Sequence, residues 1–553
     1  MPPAWVSISA ASSAEASPAE IVIGYVALVL HAHLPWVRHP EHARSLEERW
    51  LYEALWESYL PLVEVLDRLA AEDIASPLTL SVSPPLAAML ADDLLRCRFE
   101  DHTARLGELA ERESRRLAGD AELGPVARWY RARIEHCRSI WRGIGGDVLG
   151  ALAAHAEARR IELVTTTASH AYLPALAPSR AAVRAQLRLG LRAFERLSGR
   201  RPAGLWLPEC AYDPLLAEDV AAAGVRYTVL DGHALELASP RPPLGVLAPV
   251  LGPEGVAYFG RDAGASREVW SREAGYPGDP IYREFYRDVG FDLPAAELGG
   301  EIGPGGSRLM TGLKYHRITG APDKAPYDPD AALARADEHA AHFVLAREAA
   351  LRAAPPGSAP IVVAPYDAEL FGHWWFEGPR FLEGVLRRLD ASARSGDVAA
   401  TTLGGYLAQH PDLAVVEPAA SSWGEGGFGT VWAGRQAAGL WRHVHHAERE
   451  VQAACAARRG ATGLAGRALD QAIRELLLLQ ASDWAFMLHR GEMTAYAEER
   501  VRTHLHRARR LAAIALAGEG TAADEVWVSE ICAADRFLSE LTGEEIRDAF
   551  DPW

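Results

Sequence analysis

The sequence predicts a parallel α/β architecture followed by an all-helical domain, and three observations carry that expectation. Short apolar runs recur up to about Pro411, each ending in polar or aromatic residues and each followed by a helical stretch, the alternation of a parallel sheet wound with helices. Residues suited to chemistry gather at the ends of these runs, and in a closed barrel the strand ends converge on one mouth. Beyond Pro411 the strand signals stop, and Gly434 to Ala517 carries apolar residues at three and four spacing, as in Leu476-Leu477-Leu478-Leu479, the stripe of a packed helix.

Taken in order, residues 1–19 are rich in Ala, Ser and Pro and contain no Lys or Arg. They lack the charged start and apolar middle of a signal peptide and are read as a disordered tail. Residues 20–410 form the expected catalytic barrel. Its strand-like runs are Ile21 to Leu30, Leu78 to Val82, Ile161 to Thr166, Gly204 to Leu207, Tyr227 to Leu230 and Ile361 to Ala364. The stretch at about 87–159 has helical periodicity with Glu/Arg-rich faces and is too long for a simple crossover, so it reads as a helical insertion. Residues 411–553 make the helical C-terminal domain.

A chain of 553 residues, about half of them apolar, exceeds the usual single-domain range. Its formal charge of −17 comes with no cluster of Lys and Arg, which argues against a nucleic-acid partner. The five cysteines are odd in number, scattered, and never spaced as C-x-x-C. They read as free thiols of a reducing compartment. No apolar run approaches membrane-spanning length, so the expected location is cytoplasmic. Lysine occurs only at Lys314 and Lys324, and asparagine is absent, which leaves no N-glycosylation acceptor and makes the turns depend on Gly, Pro, Asp and Ser.

Two segments carry the chemistry. In Leu205-Trp206-Leu207-Pro208-Glu209-Cys210-Ala211-Tyr212 a carboxylate follows an apolar strand directly, where burial is costly unless it serves a purpose. In Ala364-Pro365-Tyr366-Asp367, followed by Glu369, His373, Trp374 and Trp375, a second strand-end carboxylate stands near paired tryptophans. Indole faces pack on pyranose C–H surfaces, and glycosidic cleavage needs two carboxyl groups flanking the bridging oxygen. Core packing is the ordinary role for at least one of Trp374 and Trp375, and for Cys210. Two other readings stand beside this one. His31-x-His33 at a first strand end, then His170, His233 and Asp367, is also the order of a barrel metal site, although it leaves Glu209 and the tryptophans without a role. A catalytically silent glucan-binding scaffold is the third.

Together these segments resemble glycoside hydrolase family 57, from about Ile21 to the C-terminal helices. His31-Ala-His33-Leu-Pro35, Ile161 to Leu173, Trp206 to Tyr212, Ala364 to Pro379, and Ser421-Ser422-Trp423-Gly424-Glu425 with Trp432 match the five motifs of the family in order. The resemblance implies a (β/α)7 barrel, a retaining double displacement with Glu209 as nucleophile and Asp367 as acid/base, and no metal or organic cofactor. It also implies an α-glucan substrate contacted by His31, His33, Trp206, Trp270, His373, Trp423, Trp432 and Asp483. Gly275-Tyr276-Pro277-Gly278-Asp279, Gly312 to Arg317 and Gln480-Ala481-Ser482-Asp483-Trp484 most resemble the branching members, which exchange an α-1,4 bond for an α-1,6 branch. The alternatives within the family are 4-α-glucanotransferase and α-amylase. The segment from Leu235 to Gly252 contains no aromatic residue, which would let hydrolysis compete if such a residue normally shields the intermediate.

Overall fold

A computed structural model describes residues 5–7, 22–321 and 323–550. The strands are β1 (Trp5–Ser7), β2 (Gly24–Ala32), β3 (Thr79–Val82), β4 (Glu162–Val164), β5 (Tyr227–Leu230), β6 (Val250–Leu251), β7 (Ala257–Gly260), β8 (Ile361–Asp367), β9 (Val398–Ala400) and β10 (Asp412–Val415). Strand β2 pairs in parallel with β3 and β8, β3 with β4, and β5 with β7. Single parallel bridges complete the circle: Thr165 with Leu205, Gly204 with Tyr227, and Arg261 with Val363. The result is a closed ring of seven parallel segments, one of which is only Gly204-Leu205. At that thin point a Cβ on Gly204 would lie 2.1 Å from the Tyr227 ring, so only glycine lets the two segments approach.

The two-residue alternation of a strand sorts side chains between the barrel interior and the surrounding helices. Tyr25, Ala27 and Val29 of β2, Tyr227 and Val229 of β5, Phe259 of β7, and Ile361 and Val363 of β8 form the interior cluster. Val26, Leu28, Leu30, Val362, Ala364 and Tyr366 face the helices. Burying side chains of this size stabilises the fold by roughly 1.5–3 kcal/mol each. Continuing the same parity to the C-terminal ends puts His31, Asp231, Arg261 and Asp367 at the inward positions of the mouth. The register agrees, because His31 lies opposite both Ser81 and Asp367.

Between β3 and β4 run helices Pro84–Leu90, Asp93–Arg116, Leu123–Gly143 and Val148–Glu157. The second starts where the Asp92 side chain accepts from the amides of Leu94 and Leu95, and it buries Leu95, Phe99, Leu106 and Leu109 along one face. The C-terminal helices are Ala438–Arg458, Gly463–Leu479, Ser482–Arg490, Thr494–Ala517, Ala522–Ala534 and Gly543–Asp548. Gly463–Leu479 is central, with all four of its final leucines buried. No helix among the described residues is long and apolar enough to cross a membrane.

Two boundaries differ from the sequence expectation. Trp5–Ser7 is not disordered, because it pairs antiparallel with β10; the rest of 1–19 lies outside the described residues. Strand β10 also shows that sheet structure continues past Pro411, since it pairs in parallel with β6. Four residues, Asp412-Leu413-Ala414-Val415, are too few for an alternation to stand out in the sequence. The same brevity hides β7, which follows a tight antiparallel pairing with β6.

Candidate active site

Glu209 leaves its segment of the ring in a left-handed conformation, with φ 64° and ψ 21°. Cys210 (φ 49°) and His170 (φ 57°) share that region. Left-handed backbone costs an L-residue about 1–2 kcal/mol, and such strain persists only where the surroundings over-determine it. Here the Glu209 carbonyl accepts from the Trp423 amide at 2.8 Å, and both carboxylate oxygens are held. Oε2 accepts from Trp423 Nε1 at 2.7 Å, and Oε1 accepts from Ser482 Oγ at 2.8 Å. Cys210 is fully buried, its thiol pushed up by burial, and it packs in the interior cluster.

Donor bookkeeping orients a longer chain of groups. Because Ser482 gives its only proton to Glu209, His170 Nδ1–H must donate to Ser482 Oγ, 2.8 Å away. Burial holds His170 well below its usual pKa, as it does His31, so each ring is neutral with one N–H. His170 Nε2 therefore accepts from His31 Nε2–H at 2.9 Å, and His31 Nδ1 accepts from Ser81 Oγ at 3.1 Å. Every proton in the series Ser81, His31, His170, Ser482 points toward Glu209. Beside it, His33 stacks on His170 with ring centroids 3.8 Å apart. Its Nδ1 lies 2.9 Å from Ser83 Oγ and its Nε2 3.2 Å from Asp483.

Asp367 is treated differently. Among the described residues no group donates a hydrogen bond to its side chain, and burial, then the negative charges of Glu369 and Glu209, push its pKa well up against a smaller pull from Arg261. Glu369 itself accepts from Tyr59 OH and from the His33 amide. Burial also raises Glu209, to about 7, against the two donors that favour its anion. Two neighbouring carboxyl groups thus differ in kind: one is surrounded by donors, the other is left to keep its proton.

The remaining expected residues spread outward. Trp206 is buried and stacks behind His31 at 4.9 Å; Trp432 is buried and stacks on Tyr172 at 5.5 Å. Both back the mouth and present no free face to it. Trp423 meets Trp206 edge-on at 5.2 Å and Trp270 at 6.2 Å, and Trp270 is partly open to solvent. His373 is drawn away from the carboxyl pair: its Nδ1 lies 2.7 Å from Glu57, which also binds Arg283 at 2.8 Å. Of the paired tryptophans, Trp375 is buried and Trp374 is exposed.

The four histidines of the metal reading are occupied by protein groups. His31, His33 and His170 are engaged as above, and His233 lies 3.0 Å from Asp231 and 2.8 Å from the Gly427 carbonyl. The one grouping of metal-competent side chains found among the described residues is Glu475, His504 and Asp535, deep in the helical domain.

The sequence reading names His170 only as a possible metal ligand and does not single out Ser482, Ser81 or Ser83 as partners of this centre. One signal was available: Ser81-Val82-Ser83 repeats the spacing of His31-Ala32-His33 on the neighbouring strand, so in-register pairing brings the two couples together.

Comparison with known proteins adds independent findings. The glycosyl hydrolase family 57 model matches residues 27–396, and the model of the 1,4-alpha-glucan branching enzyme C-terminal domain matches residues 443–544. The chain is 32% identical to the 1,4-alpha-glucan branching enzyme TK1436 of Thermococcus kodakarensis, over 88% of this chain and 73% of that protein. It is similar to the crystal structure of the GH57-type branching enzyme from Pyrococcus horikoshii, with a TM-score of 0.83, 31% identity, and 95% and 97% of the two chains covered. It is also similar, somewhat more so, to that of the α-amylase AmyC from Thermotoga maritima, with a TM-score of 0.86, 35% identity, and 95% and 99% covered.

Proposed function

The chain belongs to glycosyl hydrolase family 57, and from that premise we propose that it is a 1,4-α-glucan branching enzyme acting through Glu209 and Asp367. The observation that carries this reading is the asymmetry of the two carboxyl groups. Trp423 and Ser482 donate to Glu209 and favour its anion, whereas Asp367 is half-buried without a donor among the described residues, and desolvation together with the neighbouring carboxylates favours its acid. That is the division of labour a retaining mechanism needs. The match of residues 443–544 to the branching-enzyme C-terminal model, and the relatives that bear that name, support the branching outcome.

In the first step a Glu209 oxygen attacks the anomeric carbon. The α-1,4 bond breaks, its electron pair goes to the leaving oxygen, and that oxygen takes the proton of Asp367. A glycosyl ester on Glu209 results. In the second step the 6-hydroxyl of an acceptor glucan gives its proton to the Asp367 carboxylate as its oxygen attacks the same carbon and releases Glu209, with net retention. His31 and His33, with all four ring nitrogens engaged by protein groups, form a fixed wall beside the nucleophile. Trp423 and Trp270 offer apolar faces beside it, Trp206 and Trp432 fix the walls, and Asp483 holds His33. Since no step calls for a metal or redox group, α-glucan is the one small partner required, and a cytoplasmic store of glycogen-like polymer is its natural setting.

Hydrolysis is the second reading, favoured by the segment Leu235 to Gly252 without aromatic residues and by likeness to a protein named as an α-amylase. One measurement separates the two. Incubated with amylose, the enzyme is expected to generate α-1,6 anomeric protons by NMR with few new reducing ends, and the Glu209→Gln variant none. New reducing ends without α-1,6 signals would make it a hydrolase, and redistributed α-1,4 chains a glucanotransferase.

A further inference from the structure

A cavity of about 260 Å³ lies among the loop after β2, the helices Glu48–Ala54 and Asp93–Arg116, and the segment 302–309, and it shares no residue with the barrel mouth. Four arginines line it, Arg44, Arg49, Arg98 and Arg105, against two carboxylates, Glu48 and Asp101. These arginines are dispersed along the sequence, and only the fold gathers them. Two of the four are engaged. Arg49 donates to Glu301 at 2.8 Å and to the Met310 carbonyl at 2.6 Å. Arg98 donates to Glu48 at 2.5 Å and to the carbonyls of His39 and His42.

The other two are not. Arg105 gives only its Nε to Glu301, at 3.3 Å, and Arg44 comes no closer to the same carboxylate than 3.7 Å. Among the described residues the terminal N–H groups of both donate no hydrogen bond. Glu301 is thus one buried anion shared by three guanidiniums. The crowding acts on its neighbours. Desolvation, and then the charge of Arg105, lower the pKa of Arg44, and that repulsion outweighs the pull of Glu301. His102, buried in the same wall, is held well below its usual pKa by burial and then by Arg49, Arg105 and Arg44, so it stays neutral. Unlike His102, the two free arginines can be reached from outside: the Arg44 side chain is 43% and that of Arg105 30% exposed.

We propose that this cavity binds a small phosphate monoester of sugar size, whose dianionic head bridges Arg44 and Arg105 while its carbon skeleton lies against Leu46, Ile302 and Leu309. The planar fork of a guanidinium matches two phosphate oxygens at once, and two free forks call for a doubly charged head. The three apolar side chains of the wall call for carbon behind that head, which separates an ester from a bare ion. The volume falls slightly below the roughly 300–1,000 Å³ of drug-sized pockets, which leaves room for one sugar ring and none for a nucleotide or a glucan chain. The site goes beyond the reading of the mouth and does not depend on it.

The test titrates the full chain by calorimetry, in buffer free of phosphate and sulfate, with glucose 6-phosphate, glucose 1-phosphate, orthophosphate and glucose in turn. At least one ester is expected to bind more tightly than orthophosphate, which cannot use the apolar wall, and than glucose, which lacks the charge. Arg44→Ala and Arg105→Ala should each weaken ester binding about tenfold, and Arg44→Lys should recover part of the loss, because the charge remains without the fork. Leu46→Glu, at an exposed edge of the cavity and outside every ion pair, should abolish binding by repulsion, so the result does not hang on variants that touch Glu301. Circular dichroism checks that each variant is folded. Ester affinity unchanged in Arg44→Ala and Leu46→Glu, or no binding of either ester at millimolar concentration, would overturn the site. Orthophosphate binding as tightly as both esters would overturn the assignment to a sugar ester. None of these results bears on the action of the enzyme on amylose.

Discussion

The barrel mouth and the core of the helical domain each hold a pair of carboxyl groups largely out of water, and they differ in the partners the fold supplies. In the helical domain Asp535 accepts from Trp36 Nε1 at 3.1 Å and from Arg507, and the charge of Arg500 stands 3.6 Å away. The two arginines and His504 outweigh burial and hold its pKa down at about 2. Glu475 beside it is paired with His504 at 2.6 Å and with Gln471 at 3.0 Å. In the mouth, Asp367 has only Arg261 pulling against burial and two neighbouring carboxylates, and Glu209 has neutral donors where Asp535 has cations. In each place one carboxyl is pushed well up, Glu475 as well as Asp367, but beside it the helical domain holds a fixed anion, Asp535, where the mouth holds Glu209, raised to about 7. The difference lies in how many cations the fold supplies.

The comparison breaks most visibly at the mouth. Glu209→Gln should lower the rate on amylose by on the order of 10⁴-fold or more, and Asp367→Asn by roughly 10²–10⁴-fold, with thermal unfolding hardly lowered in either. Asp535→Asn should do the reverse. Leaving Arg500 and Arg507 without their shared anion is expected to cost about 3–5 kcal/mol, read as a lower denaturation midpoint, while the folded fraction keeps its kcat/KM. Stability against pH sharpens the contrast in sign. Asp535, depressed, contributes stability above its unfolded pKa near 4, lost as pH falls toward 2. Glu209, raised, contributes stability below its unfolded pKa of 4.5 that is lost as pH rises through about 7. Chemical denaturation should therefore show Glu209→Gln gaining on the unmutated protein between pH 5 and 8.5, by at most about 3 kcal/mol. The smallest effects grade along the donor series: Ser482→Ala should reduce kcat/KM about tenfold, and Ser81→Ala, four hydrogen bonds from Glu209, by about threefold or less.

Much of this was legible in the chain. Six of the seven ring segments announce themselves as apolar runs ending in polar residues, because a strand in a closed barrel is buried on both faces. The segment containing Ala257–Gly260 does not, because a four-residue strand set among glycines carries no period. The two carboxylates stood out as charges placed directly after buried strands. Ser482 did not: a serine at the start of a helix 273 residues from Glu209 looks like an ordinary cap, and only the packing of the helical domain turns it into a partner. Trp432 and Trp206 show the converse limit, for sequence marks an aromatic residue without saying which of its faces is covered.

Ser482 and Asp483 come from the helical domain, whereas Glu209 and Asp367 come from the barrel. During synthesis from the N-terminus every barrel strand is therefore complete before the hydroxyl that steadies Glu209 has been made. The clasp that docks the two parts is later still: Arg38, in the loop after β2, donates to the carbonyls of Ala533 and Ala534. A nascent barrel thus carries Glu209 without the Ser482 donor, and the centre is complete only when the last helices close over it.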